Sequence, residues 1–467
     1  VVVISTGGKD RPQLHRFTVT AKIPDRIARL RELAHNIWWS WNPGGSALFQ
    51  TIEPDLWEET KHNPISLLRR VDPARLEELA GTESFRQQFD AVLTRFDAYL
   101  EREKADAPAT TYFCAEFALH ESLPIYSGGL GVLAGDHLKS ASDLALPLSA
   151  VGLFYSHGYF VQRIQPGGEQ GAEFLRTDFR DAPLSEIKDS NGVPLRIRIP
   201  MPERDLTAGA HRVNVGGIEL FLLDSHVTEN DPGDQDVTFR LYPSDREPRL
   251  RQEILLGMGG WRLLKALGKR PEVCHLNEGH SAFLLLERLL DLVEEEGLTF
   301  AEAEEVVRNS TIFTTHTPVP AGHDRFSEGL MRRYFGHVAA RLGLDWEEFL
   351  DLGRASRDDH EFSMTVLALR LSGRANGVSR LHGEVSRDML ANVWPGFHTA
   401  ETPVDSVTNG VHLPTWVGPE MRGLIDSRMG TDWPLRELEP AAWNELEDLD
   451  DEALWEARKI QRRRMVE

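Results

Sequence analysis

The sequence predicts a doubly wound, Rossmann-like α/β domain, with a helical extension ahead of it and a β insertion within it. Three observations carry the prediction. From Thr110 onward, short apolar runs alternate with longer runs whose apolar residues recur near every 3.6 positions. The stretch YSGGLGVLAGDHLKSASD (Tyr126 to Asp143) places Gly128, Gly129 and Gly131 between one such strand and a helix. Polar residues recur where the apolar runs end, which is where a fold of this class binds its ligands.

The first hundred residues read as helical. IPDRIARLRELAHNIWWSWNP reads as one helix ending at Pro43, and ARLEELAG and FRQQFDAVLTRFDAYLERE keep helical spacing. Trp38, Trp39 and Trp41 on that first helix are expected to pack it onto a neighbouring domain. The charged, proline-containing break at Glu103 to Ala109 sets a boundary, giving an extension over 1–105 and the α/β domain over 106–416.

TTYFCAEFAL is a buried strand, the glycine loop and its helix follow, and LPLSAVGLFY is the next strand. Together they form one βαβ unit with parallel pairing and a right-handed crossover. Residues 161–225 read as a β insertion on the sheet edge, with LRIRIPM and HRVNVGGIELFLLDS antiparallel about a turn at Gly216 and Gly217. After the helix LRQEILLGMGGWRLLKAL the alternation resumes. Strand EVCHLN, helix SAFLLLERLLDLVEEE, strand STIFTTHTP, helices to about Leu371, strand ANGVSRL, helix GEVSRDML and strand VDSVTNGVH follow in turn. Residues 417–467 are expected to begin a helical connection. Val1 is not a methionine and ALWEARKIQRRRMVE runs on without a stop signal, so a chain cut at both ends is expected.

Composition bounds the function. The chain has 467 residues, is 41% hydrophobic and carries a formal charge of −21, which disfavours nucleic acid and anionic membranes as partners. No apolar run is long enough to span a bilayer and no signal pattern opens the chain, so a cytoplasmic protein is expected. Cys114 and Cys274, its only cysteines, lie far apart in apolar stretches, which suits packing in a reducing compartment. Any phosphate site must be made locally, from backbone N–H groups and a few cations.

The strand ends supply the candidates: Glu116, the GGLG loop, HLNEGH (His275 to His280), TTHTPVPAGHD (Thr314 to Asp324), NGVSRLH and TNGVH. The glycines permit positive φ and leave no Cβ in the way, and the helix that follows turns its first N–H groups outward, a natural phosphate site. Taken alone, the loop is equally a plain strand-to-helix turn, and a glutamate or histidine at a strand end is often a cap or a satisfied buried group. His275, His280, His316, His323 and Glu278 are conceivable metal ligands, but their spacing lacks the HExxH pattern and no metal is expected. No GxSxG elbow occurs at a strand end, which disfavours a serine hydrolase.

With these runs in hand, the chain resembles the glycogen and starch phosphorylase family, and within it the bacterial α-glucan phosphorylase branch. AEFALHESLPIYSGGLGVLAGDHLKSASDL, HLNEGHSAF, FTTHTPVPAGHDRF, NGVSRLHGEVSR and VTNGVHLPTW stand in the family's order across residues 110 to 416. The resemblance implies the first half of a B-type glycosyltransferase fold. It also implies phosphorolysis of terminal α-1,4-glucosidic bonds by inorganic phosphate, giving glucose 1-phosphate with retention, in a homodimer. The implied cofactor is pyridoxal phosphate, whose attachment lysine belongs to the family's second half and is expected beyond Glu467, so this chain alone is expected to be inactive.

By resemblance, Gly128, Gly129, Leu130 and Gly131 form the loop that faces phosphate, with Gly128 and Gly129 also beside the cofactor. His316 holds the sugar at the donor subsite. Asn409 binds sugar hydroxyls, Glu278 and His280 meet the next glucose unit, and Glu116 stands near the substrate or braces the loop. The family more often has aspartate at Glu278 and tyrosine at Ala118. Two other readings stand beside this one. A nucleotide-sugar-dependent glycan synthase of the same fold also has a GGLG loop, usually preceded by lysine and followed by aspartate, where this chain has Tyr126, Ser127 and Val132. The other is a non-catalytic glucan-binding protein.

Overall fold

A mixed sheet organises the chain. The computed structural model describes residues 22–319 and 322–466. The first 21 residues of the expected extension, Pro320 and Ala321 of the TTHTPVPAGHD run, and Glu467 lie outside the described residues. In chain order the strands are β1 (Thr110–Phe113), β2 (Leu148–Leu153), β3 (Val161–Ile164), β4 (Gln170–Glu173), β5 (Ser185–Glu186), β6 (Arg196–Ile199) and β7 (Leu206–Val215). They continue as β8 (Ile218–Asp224), β9 (Val273–Asn277), β10 (Thr311–Thr315), β11 (Arg325–Ser327), β12 (Glu361–Ser363), β13 (Arg374–Gly377) and β14 (Asp405–Ser406).

The main sheet runs β14-β13-β10-β9-β1-β2-β8-β7-β5, with β6 also paired to β7. Every neighbouring pair from β14 through β8 is parallel. The chain winds outward from β1 in both directions, first through β2 to β8 and later through β9 to β14. The switch point therefore falls between β1 and β9, where a doubly wound sheet opens a crevice. Register brings the ends level: Phe113 sits opposite Leu276, and Asn277 opposite Thr314.

The expected β insertion is divided differently. Gly216 does turn the chain, at φ 59°. The strand after it, β8, is an integral parallel strand beside β2, while β7 pairs antiparallel to β8, and β5 and β6 each pair antiparallel to β7. Within that stretch the β3–β4 hairpin stands off as a separate pair. The run ILLGMGG likewise departs from simple periodicity. The helix from Arg246 to Ala266 contains a π turn at Leu255–Gly259. A side chain at Gly257 would meet the backbone at Ser281 and Leu284, and one at Gly260 would meet Phe113 and Val151, so bare backbone lets the helix lie close to both.

The amino-terminal tryptophans do not share one helix, contrary to expectation. Helix Leu30–Ala34 stops before Asn36, and a 3-10 turn, Ile37–Ser40, follows. Asn36 causes the break. Its side chain accepts from the N–H of Trp38 at 3.0 Å and closes a two-way bond with the backbone of Gly216, which outcompetes continued helix. Pro43 starts a helix instead of ending one, as Pro54, Pro64 and Pro73 do, since proline suits the first helical position. Trp38, Trp39 and Trp41 are buried in the same core as the sheet. Among the described residues no helix is long and apolar enough to cross a membrane.

Candidate active site

The residues after β1, β9 and β10 meet at one cavity of about 650 Å³, lined among others by Leu130, Tyr242, Arg249, Glu278, His280, His316 and Asp324. The glycine loop leads from β1 into the helix Gly129–Asp143, whose first turn has no side-chain cap. Its leading N–H groups have no partner within the helix and carry the positive end of its dipole.

The glycines serve closeness, and none of Gly128, Gly129 and Gly131 adopts the expected positive φ. Gly128 is extended at φ −153°. A Cβ on Gly128 or Gly129 would meet nothing within 4 Å, which leaves that backbone bare. A Cβ on Gly131 would come within 2.6 Å of Tyr126 Cβ and 2.8 Å of Glu116 Oε2. Glu116, 2% exposed, accepts from the N–H groups of Ser127 at 2.7 Å and Gly128 at 3.2 Å, while Tyr242 donates its hydroxyl to the other oxygen at 2.5 Å. The carboxylate thus occupies the amides before the helix and leaves those from Gly129 onward to face outward.

Glu278 and His316 lie at the ends of adjacent strands. Glu278 is 2% exposed and sits at φ 64°, a region a side-chain-bearing residue rarely enters and one that marks functional sites. Its carboxyl accepts the backbone N–H of His316. Burial pushes its pKa up to about 8, against the pull of the N–H groups of His316 and Thr317. Burial holds His316 down at about 4, helped by His382, and it holds His280 down at about 3, helped by the Arg249 guanidinium. Near neutral pH the site therefore presents neutral imidazoles and a protonated carboxyl. Glu278 Oε2, His280 Nδ1 and His316 Nε2 are buried with no hydrogen-bond partner among the described residues, an unusual concentration for one wall.

Arg249, Asp324 and Tyr242 join this wall without having been singled out as candidates. Arg249 is 6% exposed, and it donates to Asp324 Oδ2 from Nε at 3.2 Å and Nη2 at 3.0 Å. Burial works against ionising Asp324, but Arg249 and His280 outweigh it and hold its carboxyl low, at about 2. The neighbouring Glu253 is pushed the other way by burial and by the Asp324 charge. Arg249 also lies 4.8 Å over the Tyr242 ring. Nothing in the sequence distinguishes Arg249, which stands beside Arg251, Gln252 and Glu253 in a charged helical stretch.

Asn409 stands apart. It is exposed in the segment after β14, its backbone N–H donates to Val378 at 3.0 Å, and it does not line the cavity. No lysine lines the cavity among its described residues. The buried Lys139, which burial lowers to about 8, is turned instead to the Thr415 hydroxyl at 3.2 Å. Cys114 and Cys274 are both free and buried.

The family described as "Carbohydrate phosphorylase" matches residues 261–465, and one described as "Protein of unknown function (DUF3417)" matches residues 23–123. The chain is 42% identical over 459 residues to the maltodextrin phosphorylase of Thermococcus litoralis, covering 96% of this chain and 54% of that protein. It is 44% identical over 479 residues to the glycogen phosphorylase of Mycobacterium tuberculosis, covering 97% and 55% respectively. Against the glycogen phosphorylase of Aquifex aeolicus it is 37% identical over 443 residues, covering 94% and 63%. The chain spans little more than half the length of these curated relatives.

Proposed function

The chain belongs to the carbohydrate phosphorylase family, and from that premise we propose that the protein carrying it cleaves the terminal α-1,4 bond of a glycogen- or maltodextrin-type glucan with inorganic phosphate. The supporting observation is the wall on which Glu278, His280 and His316 hold buried, unpartnered polar atoms, in a cavity that Leu130 of the glycine helix's first turn also lines. A polyhydroxylated sugar offers donors and acceptors for those atoms. The outward amides from Gly129 onward suit an anion.

In this reading the amides of Gly129, Leu130 and Gly131 orient phosphate and favour the charge that accumulates as it attacks. Neutral His316 holds a hydroxyl of the glucosyl unit as positive charge develops at its anomeric carbon. Glu278 fixes the His316 backbone, and with His280 it meets the acceptor glucose. Asn409 reaches sugar hydroxyls from the far strand only as part of a larger cleft. Glu116 braces the loop.

Pyridoxal phosphate accompanies this chemistry in the family and supplies a phosphate group for proton exchange. Among the described residues that line the cavity there is no lysine, which supports a covalent attachment away from this cavity. Two buried free thiols suit a reducing, cytoplasmic setting.

The test is glucose 1-phosphate release from maltodextrin by the full-length protein with and without phosphate. Phosphate-dependent release is expected. Sugar transfer that requires a nucleotide sugar would instead establish a synthase.

A further inference from the structure

The glycine helix has two ends, and the second is gripped by parts of the chain far away in sequence. Asp143, its last residue, accepts the Tyr99 hydroxyl at 2.6 Å and the Trp41 indole N–H at 3.3 Å on one oxygen, and its other oxygen lies 2.9 Å from His412 Nε2. His412 is fully buried, and its ring packs edge-on against Trp41 at 5.6 Å. Two turns earlier along the helix, Asp136 accepts the N–H of His412 at 3.1 Å and the indole N–H of Trp416 at 2.7 Å. Arg102 donates to the carbonyls of Ser142 and Asp143 at 2.8 and 2.7 Å, placing a cation at the negative end of the helix dipole.

Three segments therefore converge on one helix end. Trp41, Tyr99 and Arg102 fall within the region matched by the family of unknown function, and His412 and Trp416 follow Asn409 directly. The bonds are directional and largely shielded from water, so they resist sliding along the helix axis in a way that apolar packing does not. The helix has 15 residues, about 22 Å at 1.5 Å per residue, and transmits an axial shift to its glycine end.

We propose that Tyr99, Asp143 and His412 are positioning residues through which the amino-terminal helical region sets the register of the glycine loop and of the Asn409 segment relative to the cavity. The kinetic part of this inference rests on the phosphorolysis reading, while the structural part does not.

Hydrogen exchange on the full chain separates the two. Tyr99→Phe keeps the ring and removes the bond to Asp143. It is expected to raise exchange at least about threefold at residues 128–132 and 407–411, with strand Val273–Asn277 unchanged. His412→Gln, which alters the opposite side of Asp143, is expected to give the same pattern. In the full-length enzyme, Tyr99→Phe should lower kcat/KM for inorganic phosphate about tenfold, as a small misplacement of a binding loop does, with unchanged unfolding temperature. Exchange changes confined to 97–102 and 140–145, or a loss of protection throughout the chain, overturn the proposal by reducing the contact to local packing or to fold maintenance. If the wild-type enzyme shows no phosphorolysis, the functional reading falls, and the exchange experiment still decides this one.

Discussion

Glu278 receives the backbone N–H of His316, so the side chain at the end of one strand fixes the main chain at the end of its neighbour. A buried carboxyl in this position has a measurable pH signature. Its folded pKa, about 8, lies above its ordinary value of 4.5, so its stabilising contribution is complete below about pH 4.5 and is lost as pH rises through about 8. Glu278→Gln is expected to remove that loss. Denaturant unfolding of wild type and variant between pH 5 and 8 should show the wild type falling behind by up to about 1.4 kcal/mol per pH unit. Parallel curves would mean that Glu278 is ionised throughout.

The histidines titrate with the opposite sign. His280 and His316 are depressed from 6.5 to about 3 and about 4. Each contributes stability that is complete above pH 6.5 and is lost as pH falls toward its folded value, because protonation must then be accommodated in a buried site. His280→Gln should therefore narrow its stability deficit against wild type as pH falls from 6.5 to 4, as measured by thermal unfolding at each pH.

The glycines separate into two kinds. Gly131→Ala and Gly135→Ala are expected to destabilise the chain by about 2 kcal/mol or more, because a methyl group would press on Glu116 and Tyr126 in the first case and on the Ala118 carbonyl in the second. Gly128→Ala and Gly129→Ala, with open space around the added carbon, should leave the unfolding temperature nearly unchanged and weaken phosphate binding in the full-length enzyme. Equal destabilisation by all four would show that the loop is built for packing alone.

His316→Ala in the full-length protein is expected to lower turnover by about a hundredfold or more while leaving cofactor loading, read from its absorbance, intact. Loss of the cofactor on this substitution would place His316 in a different role.

The alternation of strands and helices was legible because parallel strands buried on both faces are apolar runs ending in polar residues, and Glu116, Glu278 and His316 stand at such ends. Other features were hidden by contacts between distant residues. The helix break at Asn36 depends on Gly216, 180 residues away. Arg249 read as an ordinary helical charge until its partner Asp324 was brought beside it from another loop. The GGLG loop suggested positive φ, whereas its glycines answer to a buried carboxylate and an open surface, which the spacing of glycines alone does not distinguish.

The π turn at Leu255–Gly259 works as a phase adjuster between two faces of one rod. It accommodates one residue more than regular winding would, so Arg249 lines the cavity with Glu253 buried beside it, while Gly257 and Gly260 meet the backbone and side chains of the core. Deleting a single residue there would restore ordinary winding and rotate everything ahead of it by about 100°. The guanidinium beside Asp324 would swing toward solvent although no residue of the site had been changed.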